Sequence, residues 1–287
     1  MLKTMIDLHT HSSASDGQYS PADLVQKAFD RNIKVLALTD HDTTSGLQEA
    51  KQKANELGMI FVPGIEISID RPKSEFHLLG LALKTESESL KKIIKNAKEN
   101  RENRNILMVE KLNEHGINVT LQEIKNEFPR SSLGRPQFAE FLKNHGFVKN
   151  IQSAFDKFLS RGKPCFIEKT GIPLDDAISA IYESGGVPVL AHPLSLYLSW
   201  SHLEETVKTF REKGILGLEA YHPGARVVEC EKLEFMARRL DLFVTAGSDF
   251  HGEAIRRDRR IGITCGERKI DDRFYFNELL RALENLK

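Results

Sequence analysis

Met5-Ile6-Asp7-Leu8-His9-Thr10-His11 is an apolar run that ends in two imidazoles two residues apart. In extended backbone, side chains two apart point the same way, so His9 and His11 can serve one ligand. The same grammar recurs along the chain. Ile33 to Leu38 leads into Thr39-Asp40-His41-Asp42, and Ile60 to Ile67 carries Glu66. Phe76 to Leu83 carries His77, and Val187 to Ala191 leads into His192-Pro193. Leu216 to Tyr221 leads into His222, and Leu242 to Ala246 into Ser248-Asp249-Phe250-His251. Seven β-branched or apolar runs with helical patterns between most of them predict strands of a parallel sheet closing into a barrel. Polar residues at the C-terminal ends of such strands are where a β/α barrel builds its active site.

The helical signals are equally local. Ser20-Pro21-Ala22-Asp23 reads as an N-cap followed by proline at the first helical position. A second helix starts near Thr44 or Ser45 and stops at Gly58, and a third runs from Leu174 to Gly185-Gly186. From about Leu90 to Lys163 the strands disappear. Lys91 to Asn113 has apolar residues at helical spacing, and Leu121 to Phe128, Pro136 to Asn144 and Ile151 to Leu159 read as shorter helices. The expected organisation is a barrel from residues 1–90 and 164–287, with 91–163 inserted as a helical cap domain.

Composition narrows the function classes. The chain has 287 residues, 40% of them hydrophobic, enough for a large packed core. Its three cysteines, Cys165, Cys230 and Cys265, form neither a zinc spacing nor a disulfide framework. No apolar stretch is long enough for a membrane span, and Met1-Leu2-Lys3 carries no signal-peptide pattern. A reducing cytoplasm is the expected compartment. Net charge is zero, yet Lys91 to Lys163 holds fifteen Lys/Arg against eight Asp/Glu, a balance of +7 that leaves −7 for the remainder. An acidic body suits cations and a basic insertion suits an anionic substrate.

Imidazoles and carboxylates converging without cysteine suit a cluster of divalent metals. Taken singly, a histidine is more often a satisfied core or surface residue. His115, His145 and His202 fit that role, and Asp40, Asp42 or Asp249 alone could cap a helix. Glu66 and His77 do not fit it easily, because each sits in an apolar strand where an unpartnered polar group is costly. Asp16, in a Ser-Ala-Ser-Asp-Gly turn, is close enough in sequence to reach a neighbouring ion.

His9-Thr10-His11, Thr39-Asp40-His41-Asp42, Ala191-His192-Pro193 and Ser248-Asp249-Phe250-His251, with Glu66 and His77 in order between them, resemble the polymerase and histidinol phosphatase (PHP) superfamily. The resemblance covers the whole barrel. It implies a distorted seven-stranded (β/α)7 TIM-like barrel and a three-metal site. By that resemblance one metal takes His9, His11, Glu66 and Asp249, a second shares Glu66 and adds His77 and His192, and a third takes Asp16, His41 and His251. Two to three divalent ions are expected, manganese first, with iron or zinc as alternatives. The stand-alone branch with a helical insertion is the most similar, through Ser12 to Gly17, Asp40 to Thr43, Arg101-x-x-Arg104, Gly134-Arg135-Pro136 and Arg161-Gly162-Lys163-Pro164. That branch implies a phosphomonoesterase acting on nucleoside 3′,5′-bisphosphates or a 5′–3′ exonuclease trimming short 5′-phosphorylated oligonucleotides. It usually has histidine where this chain has Gln137, which loses titration but keeps a hydrogen-bond donor.

The expected nucleophile is a metal-bound hydroxide attacking a terminal phosphate in line, with Asp42 and His222 as supporting candidates. Arg101 and Arg104 share a helix face, and with Arg135 they could hold the phosphate that is not cleaved. His222 could touch substrate or protonate the leaving group. The expected partner is a phosphorylated nucleotide or short oligonucleotide, with no membrane and no stable duplex nucleic acid. The competing readings are a histidinol-phosphate-type phosphatase, a non-catalytic metal-binding regulatory module and a metal-dependent amidohydrolase. The basic insertion argues against the first, and the intact set of candidate ligands against the second. The absence of a strand-end lysine argues against the third.

Overall fold

A computed structural model describes residues 4–71, 74–129 and 133–286 of the chain; Met1-Leu2-Lys3 lies outside them. The chain divides into two compact units, Met1–Ile94 with Ile172–Lys287, and Lys95–Gly171. No helix among the described residues is long and apolar enough to cross a membrane.

The first unit is built on a seven-stranded sheet whose spatial order follows the chain: β1 (Met5–Asp7), β2 (Ile33–Leu38), β3 (Ile60–Ser68), β4 (His77–Leu81), β5 (Val187–Leu190), β6 (Gly217–Tyr221) and β7 (Phe243–Ala246). Leu36, Leu38, Ile65, Ile67, Leu78, Val189 and Leu218 are fully buried, as the apolar runs require. The ends of the sheet nearly meet. Asp249 N–H donates to His9 O at 2.9 Å, and Thr10 and Phe250 form a parallel bridge. Gly247 permits this approach, because a Cβ there would lie 2.2 Å from the Cβ of His9.

One strand departs from the parallel expectation. β4 pairs antiparallel with both β3 and β5. The eight residues between Ser68 and His77 are too few for a helical crossover, so the chain turns back as a hairpin. Reversal has a chemical consequence. Ser68 pairs with His77, so His77 opens its strand yet lies beside the C-terminal end of β3.

Helices α1 (Pro21–Asp30) and α2 (Leu47–Glu56) follow β1 and β2. Ser20 caps α1 by accepting from Asp23 N–H at 3.1 Å. Gly58 lies just beyond α2 at φ +65°, a conformation that favours glycine.

The second unit is helical. The 27-residue α3 (Glu88–Glu114) leads into it, and α4 (Leu121–Glu127), α5 (Arg135–Asn144) and α6 (Ile151–Ala154, continued as a π-turn to Leu159) complete it. Met108, Leu112, Ile124, Phe138, Leu142 and Leu159 form its core. Back in the first unit come α7 (Leu174–Glu183), α8 (Trp200–Glu212), α9 (Val227–Arg239) and the short α10 (Leu280–Glu284).

Candidate metal centre

Six of the seven barrel strands hand a candidate ligand to one place. His9 and His11 follow β1, His41 follows β2, and Glu66 lies two residues before the end of β3. His77 opens β4, His192 follows β5, and Asp249 and His251 follow β7. His9, His11, Glu66 and Asp249 are all buried. Glu66 stands at the centre. Its Oε2 lies 3.3 Å from His9 Nε2, 3.3 Å from His11 Nε2 and 3.0 Å from His41 Nδ1. Its Oε1 lies 3.0 Å from both His77 Nδ1 and His192 Nε2. The two oxygens of one carboxylate therefore serve two different sets of imidazoles.

Two further groupings adjoin it. Asp249 Oδ1 is 3.7 Å from His9 Nε2 and 3.4 Å from His11 Nε2. Asp16 is 3.4 Å from His251 Nε2 through Oδ1 and 3.9 Å from His41 Nε2 through Oδ2. Among the described residues, four sets have ligand atoms mutually close enough to hold a metal ion. They are His11/Asp16/His41/His251, His9/Glu66/His192, His9/His11/Asp249 and His41/Glu66/His77. All nine residues singled out by the motifs thus come together.

The donor chemistry fits a metal cluster. Glu66 Oε2 is buried, yet among the described residues none of its neighbouring nitrogens meets it as a hydrogen bond, and His11 Nδ1 is likewise without one. Buried polar atoms are normally paired, so an oxygen left unpaired among converging imidazole nitrogens is arranged as a ligand. Electrostatics agree. Burial alone would raise the pKa of Glu66, but His41, His9 and His77 outweigh it and hold the carboxyl well below its usual range. Asp249 behaves the same way, with burial outweighed by His11 and His222 hydrogen bonds and by His9 and His251. These carboxylates demand positive charge, and divalent cations supply it more densely than imidazolium.

A second layer orients the imidazoles. Glu219, fully buried on β6, has Oε1 2.9 Å from His9 Nδ1 and accepts from His192 N–H at 2.8 Å. It fixes which His9 nitrogen faces inward, the usual task of a carboxylate behind a ligating histidine. Asp40 accepts from Ser12 N–H and Oγ–H and from Ser15 Oγ–H, at 2.6–2.7 Å, and so shapes the turn that presents Asp16. Asp42, at φ +53°, accepts from Ser68 N–H at 2.8 Å and ties the ends of β2 and β3 together. Its carboxylate thus braces the frame beside the site. Asp7 accepts from Ser248 and Gly262, and burial pushes its carboxyl up to about 6.

His222 sits at the margin, with Nε2 3.3 Å from Asp249 Oδ2. Gly224 N–H donates to its Nδ1 at 3.0 Å, so a neutral ring carries its proton on Nε2. Burial holds it below the usual histidine range, against the pull of Asp249 and Glu219. His115, His145 and His202 are exposed and bond to Lys111 O, Glu127 and Ser199.

Arg101, Arg104 and Arg135 all lie in the second unit and are half-buried. Asn105 Nδ2–H donates to Leu133 O at 3.1 Å, and this pins α3 to the Leu133-Gly134 turn. A Cβ on Gly134 would lie 3.8 Å from Arg104 Nη2. Arg104 and Arg135 therefore flank one turn. Gln137 Oε1 accepts from Gly134 N–H at 3.0 Å, so its amide is committed to capping α5.

Sequence reasoning missed Glu219, Arg256 and Arg259. Glu219 carried the signal that exposed Glu66, a charge inside the apolar run Gly217-Leu218-Glu219-Ala220-Tyr221. The two arginines sit in Arg256-Arg257-Asp258-Arg259-Arg260, a charge run whose inward members only the fold separates from its outward ones.

The PHP domain profile matches residues 7–156. A 5′-3′ exoribonuclease of Haemophilus influenzae is 32% identical over 245 residues, covering 85% of this chain and 89% of that protein. A 3′,5′-nucleoside bisphosphate phosphatase of Chromobacterium violaceum is 32% identical over 247 residues, covering 86% and 87%. The solved structure of a Bifidobacterium adolescentis protein classed with the metal-dependent phosphoesterases superposes with a TM-score of 0.79 at 30% identity. It covers 96% of this chain and 95% of that one.

Proposed function

This chain belongs to the PHP domain family and is a metal-dependent phosphoric ester hydrolase, and on that premise we propose that it removes a terminal phosphate from nucleotides. Nucleoside 3′,5′-bisphosphates are the proposed principal substrates, and short 5′-phosphorylated oligonucleotides are a second class trimmed from the 5′ end. The observation that carries the reading is Glu66, whose two oxygens face His9/His11 on one side and His77/His192 on the other. A carboxylate so placed is suited to bridge two cations.

In this reading His9, His11, Glu66 and Asp249 hold one ion; Glu66, His77 and His192 a second; Asp16, His41 and His251 a third. The mixed nitrogen and oxygen donors suit manganese, with iron or zinc as alternatives. Such ions, when bound, acidify water towards neutrality and neutralise charge on phosphate oxygens. The protein's own groups do the remaining work. Glu219 keeps His9 in its ligating tautomer. Asp40 holds the Ser12–Asp16 turn, and Asp42 locks the strand ends so that ligand spacing does not relax. The Nε2–H of His222 faces the site and can donate to a departing oxygen. Arg104 and Arg135 recognise the phosphate that is not cleaved, with Arg101 as a weaker third member.

The test is phosphate release, with manganese present, from adenosine 3′,5′-bisphosphate beside AMP, histidinol phosphate and a 5′-phosphorylated trinucleotide. Preference for the bisphosphate or the trinucleotide is expected. Preference for histidinol phosphate, or no release by a metal-loaded sample, would overturn the nucleotide assignment.

A further inference from the structure

We propose that Arg256, Arg259 and His222 form an anion pocket that grips the phosphoryl group under attack, an inference that rests on the phosphoesterase reading. After β7 and the Ser248–His251 segment the chain carries Arg256-Arg257-Asp258-Arg259-Arg260. Two of these guanidiniums turn to the candidate metal centre. Arg256 Nη1 lies 3.5 Å and Arg259 Nε 3.8 Å from Asp249 Oδ2, the same atom that His222 Nε2 approaches at 3.3 Å. The other oxygen of Asp249 faces His9 and His11. One carboxylate therefore has ligand imidazoles on one side and three hydrogen-bond donors on the other.

The arrangement is built rather than incidental. Arg259 has a side chain only 6% exposed, and its Nε has no hydrogen-bond partner among the described residues. A distance of 3.8 Å to Asp249 is too long for a hydrogen bond, and burying an arginine with a donor unsatisfied is costly. Asp258 Oδ2 lies 3.0 Å from Arg259 Nη1 and 3.5 Å from Arg256 Nη2, which sets the two forks side by side. Gly224 leaves the room, because a Cβ there would stand 2.9 Å from the His222 ring and 3.1 Å from Arg259 Nη2.

Charge completes the argument. When Asp249 is committed to a cation, the two guanidiniums lose much of its compensation and need another anion. Two oxygens of a tetrahedral phosphate match the planar fork of a guanidinium. The pocket is one carboxylate away from the candidate metal position, so it addresses the reacting phosphoryl group. Arg104 and Arg135, by contrast, belong to the inserted unit and are assigned the phosphate left behind.

The experiment is calorimetric binding of inorganic phosphate to the manganese-loaded full chain, with bound manganese counted in the same samples. Wild type should bind. Arg259→Gln and Arg256→Gln should each weaken binding by about 10-fold or more, with manganese content unchanged and Arg259→Lys partly restoring affinity. The same variants should lose kcat/KM equally on a bisphosphate and on an aryl phosphate. Unchanged phosphate affinity, or a parallel loss of manganese, would overturn the pocket, the latter by showing that the arginines act only through Asp249. Arg256 is partly exposed, unlike the buried Arg259, so it keeps the test alive if Arg259→Gln does not fold. Phosphate binding reads the pocket even if no nucleotide is turned over, which separates its failure from that of the substrate assignment.

Discussion

Two clusters of charge in the barrel unit are built on opposite rules. Around Glu234 every fork finds its match. Arg273 donates through Nη1 and Nη2 at 2.8 and 3.0 Å, Tyr221 Oη–H at 2.7 Å and Arg238 Nη2 at 3.1 Å. Arg238 also pairs with Glu278, which takes Val244 N–H at 3.1 Å. Around Glu66 five imidazoles crowd one carboxylate, and its Oε2 is left without a hydrogen bond. Complete pairing marks a brace, while convergence that leaves a carboxylate oxygen unpaired marks a place for a ligand. Burial alone does not tell them apart.

The difference can be broken at its strongest point first. Glu66→Gln should empty two metal positions and lower turnover by about 10³-fold or more, while thermal stability of the metal-free chain changes little. Normal metal content in that variant would sink the bridging role. The brace should answer in reverse. Glu234→Gln should destabilise the fold by about 2 kcal/mol with turnover intact at temperatures where it stays folded, measured by urea melts. Its pH signature has a definite sign. Arg273, with help from Tyr221 and Arg238 and against burial, holds Glu234 down to about 2 from its ordinary 4.5. Its stabilisation is present above pH 4.5 and drains away as pH falls towards 2. Melts at pH 3 and 6 should therefore converge for Glu234→Gln relative to wild type.

Glu219 tests the boundary between the two rules, since it is paired like a brace but to residues of the cavity. Glu219→Gln should cost about 10- to 100-fold in metal affinity, read by competition with a chelating dye. A loss of stability with unchanged metal affinity would move it to the other class. The smallest effect is expected farthest from the ligands in sequence. Arg104→Ala should weaken binding of a bisphosphate about 10-fold while leaving a simple aryl phosphate nearly untouched. Equal losses on both would remove Arg104 from the clamp.

The seven strands, the helical insertion and the nine convergent residues were legible in the sequence because each has a local cause. Apolar runs must be buried, a Ser-Pro pair starts a helix, and a glutamate or histidine inside an apolar run must have a partner. Local pattern does not carry strand direction. β4 reverses because of the short link before His77, and the reversal brings His77 beside Glu66. Nor does it carry pairing. Glu66, Glu219 and Glu234 are all acidic residues in partly apolar settings, and only tertiary contacts make one convergent with an oxygen left unpaired, one an orienting partner and one a closed brace. The five-residue run from Arg256 to Arg260 ends the same way: sequence counts its charges, and the packing of Asp258, Gly224 and Asp249 decides that Arg259 turns inward. Charge is a property of a residue, but the absence of a hydrogen bond is a property of everything around it.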